Sequence, residues 1–130
     1  MAREMTETIL VADDDPWVRV LTRDVLAGEG YRVLEASEGQ HAIRVASEHE
    51  GPVHLLLSDV MMPGMNGCDL AARLTTLLPG VKVLFMSAWD RDYLVSQGLN
   101  PIGPVITKPF TTEYLLRRVG LLLSRPSPVS

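Results

Sequence analysis

The chain has 130 residues, 46% of them hydrophobic and 22% charged, with a formal net charge of −4. That length is expected to form one domain with a substantial core and no linked output domain within it, and an acidic balance with scattered basic residues gives no electrostatic case for nucleic acid. No apolar run nears the roughly 20 residues of a membrane span, and the opening MAREMTET lacks the apolar centre of a signal peptide, so a cytoplasmic location is expected.

In chain order, TILVA is an apolar run that stops at Asp13 and Asp14 and reads as a strand. Asp15 and Pro16 then supply an N-cap and a first helical position ahead of Val18, Leu21, Val25 and Leu26, whose spacing is helical. Gly28 and Gly30 end that helix before Tyr31. A second strand at Val33-Leu34 leads to a helix carrying Ala42, Ile43, Val45 and Ala46, and Glu50-Gly51-Pro52 separates it from HLLLS, a third strand running into Asp59. Asn66-Gly67 opens a third helix with Leu70, Leu74, Leu77 and Leu78, and Pro79-Gly80 closes it. KVLFM ends at Ser87. Gly98, Pro101, Gly103 and Pro104 break up residues 97–104 and leave room for only a short helix over 90–96. PVIT precedes Lys108, and a last helix over 112–124 carries Tyr114, Leu115, Val119, Leu122 and Leu123. Strand and helix thus alternate throughout. Short apolar runs without polar alternation suit strands buried on both faces, which predicts an α/β fold with a parallel sheet between helix layers.

Such a sheet decides where the chemistry lies. Ligands of open parallel sheets bind outside the carboxyl ends of the strands, so Asp13, Asp14, Asp59, Ser87 and Lys108 are expected to converge although they are distant in sequence. Three adjacent like charges at Asp13, Asp14 and Asp15 are costly unless a cation or solvent relieves them. Asp15 is explained as the helix cap. Asp13 and Asp14 call for a divalent cation, and hard carboxylate donors with room for water and a phosphate oxygen describe Mg²⁺ better than Ca²⁺ or Zn²⁺. Asp59, set against a core strand, has the chemistry of a nucleophile at phosphorus that yields an acyl phosphate. The cation and Lys108 would neutralise phosphoryl charge, and Ser87 would donate a hydrogen bond to it.

Other polar residues have plainer readings. His41, His49 and His54 are dispersed and indicate no metal cluster. Met61, Met62, Met65 and Met86 pack around or shield the strand ends, and Arg73, Arg117 and Arg118 read as solvated helix faces. The lone Cys68 excludes an internal disulfide. Its place in a first helical turn would favour a lowered thiol pKa, but packing is the expected role.

Taken together, ILVADDDP, LLLSDVMMPGMNG, VLFMSAW and ITKPF, in that order, resemble the receiver domain of two-component signalling over residues 7–123. The resemblance implies a flavodoxin-like (βα)5 doubly wound sheet of strand order 2-1-3-4-5, spanning 7–124 between mobile ends at 1–6 and 125–130. It implies that Asp59 is the phosphoacceptor, that Asp13 and Asp14 are the acidic pair, and that Asp14, Asp59 and the main-chain carbonyl of Met61 bind Mg²⁺. Ser87 and Lys108 would contact the phosphoryl group, and Lys108-Pro109 would be a cis peptide. The phosphoryl donor would be a phosphohistidine on a sensor histidine kinase or a histidine phosphotransfer protein. Output would be a conformational change read by a downstream protein, with no turnover of an external metabolite. The stretch WDRDYLVSQGLNPIGPVITKPFTTEYLLRRV is similar to receivers at the C-termini of hybrid sensor kinases, so both an excised hybrid-kinase receiver and a free regulator fit.

Two departures from that pattern stand out. Val105 occupies the position three before Lys108 where such domains carry a Tyr or Phe, so hydroxyl movement cannot be coupled to rotation of that aromatic. Trp89 is then either a mobile substitute or a static packing residue. Ser87 replaces the commoner Thr and keeps the hydroxyl. Two competing readings are a haloacid-dehalogenase-like phosphatase, which Asp13, Asp15, Ser87 and Lys108 imitate, and a pseudo-receiver that only binds. The first lacks an acidic pair after Lys108 and leaves Asp59 unexplained; the intact acidic set opposes the second.

Overall fold

The apolar runs of the chain have no polar side to offer water, and they fill the middle of the sheet. The computed structural model describes residues 6–123; the ends expected to be mobile lie outside these, apart from Thr6. The strands are β1 (Thr8–Ala12), β2 (Arg32–Ala36), β3 (Leu55–Asp59), β4 (Lys82–Ser87) and β5 (Val105–Thr107), and the helices are α1 (Pro16–Gly28), α2 (Gly39–Glu48), α3 (Gly67–Leu77), α4 (Arg91–Ser96) and α5 (Thr112–Leu122). The strands form one sheet in the order β2-β1-β3-β4-β5, with every pair parallel. This is the architecture expected from the sequence. Register brings the carboxyl ends level, because Ala12 pairs with both Ala36 and Ser58, Asp59 with Met86, and Ser87 with Thr107.

Strand side chains alternate between faces. Ile9, Val11, Leu55, Leu57, Leu84, Met86 and Ile106 point to a core shared with Leu26, Leu115 and Val119, whereas Leu10, Ala12, Leu56, Val83 and Phe85 point to one shared with Ala42, Ala46, Leu70, Leu74 and Leu94. Both faces are covered, which is why β1, β3 and β4 show no polar alternation.

Caps fix the helix starts. Asp15 accepts from the N–H groups of Trp17 and Val18, and Asn66, Asp90 and Thr111 accept from Asp69, Tyr93 and Tyr114. Three of the apolar helix positions are not core: Leu21 and Leu77 are about half exposed, and Tyr114 is exposed as well. α1 buries Thr22 and Leu26, and Leu21 lines a groove with Val18, Val25 and Phe110. The short fourth helix is present, and the irregular stretch after it is tied down by Arg91, which donates to the carbonyls of Pro101, at 3.0 Å, and Gly103. A Cβ at Gly103 would meet the Val83 carbonyl, so this segment lies directly against β4. Among the described residues no helix is long and apolar enough to cross a membrane.

Candidate functional site

Asp13 sits at the end of a fully buried strand and is itself 0% exposed. Its N–H donates to Ala36 O at 3.1 Å, and its Oδ1 accepts from the Asp15 N–H at 2.9 Å. Its Oδ2 is buried and has no hydrogen-bond partner. One carboxylate oxygen from each of Asp13, Asp14 and Asp59 lies within 4.8 Å of the others. Asp14 is exposed and the Asp59 side chain is 15% exposed, so the cluster opens from buried to solvent across a short distance. Just after β5, Lys108 reaches with its Nζ to 3.9 Å from Asp13 Oδ2 and 3.8 Å from Asp59 Oδ2. These are charge contacts, too long for hydrogen bonds.

The peptide bond Lys108-Pro109 is cis, and the Lys108 N–H donates to Ser87 O at 2.7 Å, joining the ends of β5 and β4. Ser87 is buried, and its Oγ accepts from the Trp89 N–H at 2.8 Å. That bond occupies an acceptor lone pair and leaves the hydroxyl proton free to be donated. The Trp89 ring rests on Tyr93 of α4 with centroids 4.7 Å apart, and Val105 is half-buried.

The backbone behind Asp59 is held tightly. Ser58 Oγ donates to the Asp59 carbonyl at 2.8 Å, and the N–H groups of Val60 and Gly67 donate to Met86 O and Val60 O. A Cβ at Gly67 would collide with the Asp59 carbonyl and touch Ser58 Oγ. Only glycine lets α3 start this close to the end of β3.

Burial is the main reason the Asp59 carboxyl is pushed up to about 6; Lys108 opposes the rise, and Asp13 and Asp14 add to it. Asp13 is also raised, first by burial, with the Asp15 N–H and Lys108 opposing. One ammonium therefore faces more negative charge than it can balance. A hard divalent cation fits this donor set, because the unpartnered Asp13 Oδ2 and two neighbouring carboxylates offer oxygens at coordinating separations. It is the one such cluster found among the described residues.

Every strand-end residue picked out from the sequence thus lies on this edge of the sheet. Met61 follows in the loop after β3, with its side chain mostly exposed, while Met62 and Met86 are core residues. The histidines stay apart: His54 Nδ1 accepts from the Thr8 N–H and His41 Nδ1 from the Ser37 N–H. Cys68 is buried, and burial pushes its thiol up, which fits packing as its role. The sequence reading missed Arg19, whose Nη1 donates to the Asp13 carbonyl at 2.9 Å. An arginine just inside an acidic helix start reads as solvated, and its spacing from Asp13 is the only hint.

Comparison with known proteins agrees. The chain is 36% identical over 123 residues to the response regulator GtcR of Aneurinibacillus migulanus, covering 93% of this chain and 49% of that protein. It is 33% identical over 113 residues to sporulation initiation phosphotransferase F of Bacillus subtilis, covering 85% of this chain and 89% of that one. The crystal structure of the receiver domain from the hybrid histidine kinase CckA aligns with a TM-score of 0.76 at 32% identity, over 89% of this chain and 98% of that one. The likeness extends to hybrid-kinase receivers and other regulators alike, and the chain spans about half the length of relatives such as GtcR. The family model described as response regulator receiver domain matches residues 9–120, nearly every strand and helix described above, and the chain belongs to that family.

Proposed function

We propose that Asp59 accepts a phosphoryl group from a phosphohistidine on a sensor histidine kinase or a histidine phosphotransfer protein, and that the phosphorylated chain signals by conformational change to a protein partner. The observation that carries this reading is the meeting of Asp13, Asp14, Asp59 and Lys108 at the strand ends. With its pKa at about 6, Asp59 is largely ionised at neutral pH and so is a competent nucleophile. Its carboxylate oxygen forms the new bond to phosphorus while the phosphorus–nitrogen bond of the donor breaks and the imidazole departs. Lys108 exchanges part of its interaction with Asp59 for a phosphoryl oxygen, and Ser87 donates its free proton to another. Asp13, Asp14 and Asp59, with the main-chain carbonyl of Met61, would hold Mg²⁺, which when bound neutralises charge on the phosphoryl oxygens. The chain assists only its own phosphorylation and hydrolysis, and this reading sets its place of action in the cytoplasm.

Acetyl phosphate and a phosphate ester separate this function from its competitors. Stoichiometric, Mg²⁺-dependent labelling without ester turnover is expected. Ester turnover would indicate a phosphatase, and neither reaction a binding module.

Lifetime of the phosphoprotein is a second observable. Hydrolysis needs an in-line water, and Met61 and Trp89, 55% and 48% exposed, are the large side chains two positions beyond Asp59 and Ser87. Met61→Asn combined with Trp89→Ala is expected to speed decay roughly tenfold, or about 1.4 kcal/mol off the barrier. Decay of the loaded proteins after donor removal measures this; an unchanged rate would mean that other groups limit water access.

A further inference from the structure

Arg19 lies in the second turn of an outer helix, yet its side chain is only 18% exposed. Its Nη1 donates to the main-chain carbonyl of Asp13 at 2.9 Å, while its Nε lies 3.3 Å from Glu35 Oε1. The other oxygen of Glu35 accepts from Arg23 Nη1 at 2.9 Å. Glu35 is therefore gripped from both sides, and a planar guanidinium engaged at Nε has little freedom to turn its Nη1 elsewhere. Register explains the meeting: Glu35 pairs with Val11, which faces α1, so Glu35 faces α1 as well.

The consequence falls on Asp13. Its N–H is held by Ala36, its Oδ1 by the Asp15 N–H and its carbonyl by Arg19, so Oδ2 is left without a hydrogen bond, with only the longer charge contact to Lys108. The carbonyl that Arg19 holds belongs to the peptide joining Asp13 to Asp14. Rotation of that peptide would move both carboxylates.

We propose that Arg19, aimed by Glu35, is a positioning residue for the acidic site: it fixes the Asp13-Asp14 peptide and so sets where these carboxylates stand toward a divalent cation. The role rests on the reading that the site binds Mg²⁺. Charge and geometry make opposite predictions here. A guanidinium near a cation site repels the cation, so a residue acting through charge alone would weaken Mg²⁺ binding, and its removal would tighten it. A positioning residue does the reverse.

The test is a Mg²⁺ titration of the folded protein by calorimetry, well below its unfolding transition, on wild type, Arg19→Gln and Arg19→Lys. Arg19→Gln is expected to weaken Mg²⁺ binding about tenfold, the scale found when groups that orient metal ligands are removed. The Mg²⁺ concentration giving half-maximal acetyl phosphate labelling should rise likewise, with the rate at saturating Mg²⁺ largely retained. Arg19→Lys keeps the charge but cannot engage Glu35 and Asp13 in the same fork, so it should be weaker than wild type by a smaller factor. Unchanged or tighter binding in Arg19→Gln overturns the role, and if that variant does not fold, wild-type affinity in Arg19→Lys overturns it. A wild-type protein without a Mg²⁺ response overturns the metal reading together with this one.

Discussion

Asp59→Asn is expected to abolish labelling by acetyl phosphate in Mg²⁺ altogether. The amide matches the carboxylate in shape, and the backbone that presents it is held by Ser58, Met86 and the close approach of Gly67, so the substitution leaves the local fold in place. What it removes is the anionic oxygen. A neutral amide is too poor a nucleophile to form the bond to phosphorus, and the loss should be complete, without a partial rate at higher donor concentration. Asp13 and Asp14 remain as carboxylates in this variant, so it also tests whether they can substitute as acceptors. Intact-mass measurement of phosphoprotein checks the expectation, and wild-type stoichiometry in Asp59→Asn would remove Asp59 from its assigned role.

The same substitution should stabilise the metal-free protein, by an amount that depends on pH. Burial lifts the Asp59 carboxyl from its ordinary 3.8 to about 6, so between those values the folded chain holds a proton that the unfolded chain has released. Unfolding stability falls with pH wherever the native state binds more protons, so Asp59 costs nothing below about pH 4 and its full effect is reached above about pH 6. That rise corresponds to at most about 3 kcal/mol at pH 7, and solvent reaching the site beside exposed Asp14 lowers the effect below that ceiling. Urea unfolding with divalent ions removed should give wild-type and Asp59→Asn curves that meet near pH 4 and diverge toward pH 7, with the variant the more stable. Curves that run parallel over that range would show that Asp59 does not carry the cost. Mg²⁺ should close the gap by binding the folded wild type.

Both outcomes come from one arrangement. Carboxylates crowded at the ends of buried strands are unfavourable for the fold by themselves, and on the proposed function they would become useful once a cation and a phosphoryl group are present. The buried Asp13 Oδ2 without a hydrogen-bond partner belongs to the same arrangement.

Local chemistry determined a good part of this in one dimension. An apolar run such as LLLS, short and bounded by turn residues, has no face for water and so suits a strand covered on both sides; Asp15 before Pro16, and Asn66 before Gly67, mark helix starts because their side chains accept from the next free N–H groups. The site followed from the same logic, since residues directly after buried strands of a parallel sheet meet at one edge. Tertiary structure decided the rest, because it depends on distances between segments that sequence spacing does not encode. Leu21 and Leu77 have helical spacing but lie off the buried stripe, and burial pushes the Cys68 thiol up. Gly67 is required by the nearness of the Asp59 carbonyl, and Arg19 has a role because β2 lies beside β1 in a register that turns Glu35 toward α1. Periodicity tells which side of an element is apolar; only the packed fold tells which polar atoms are left without water and must find one another.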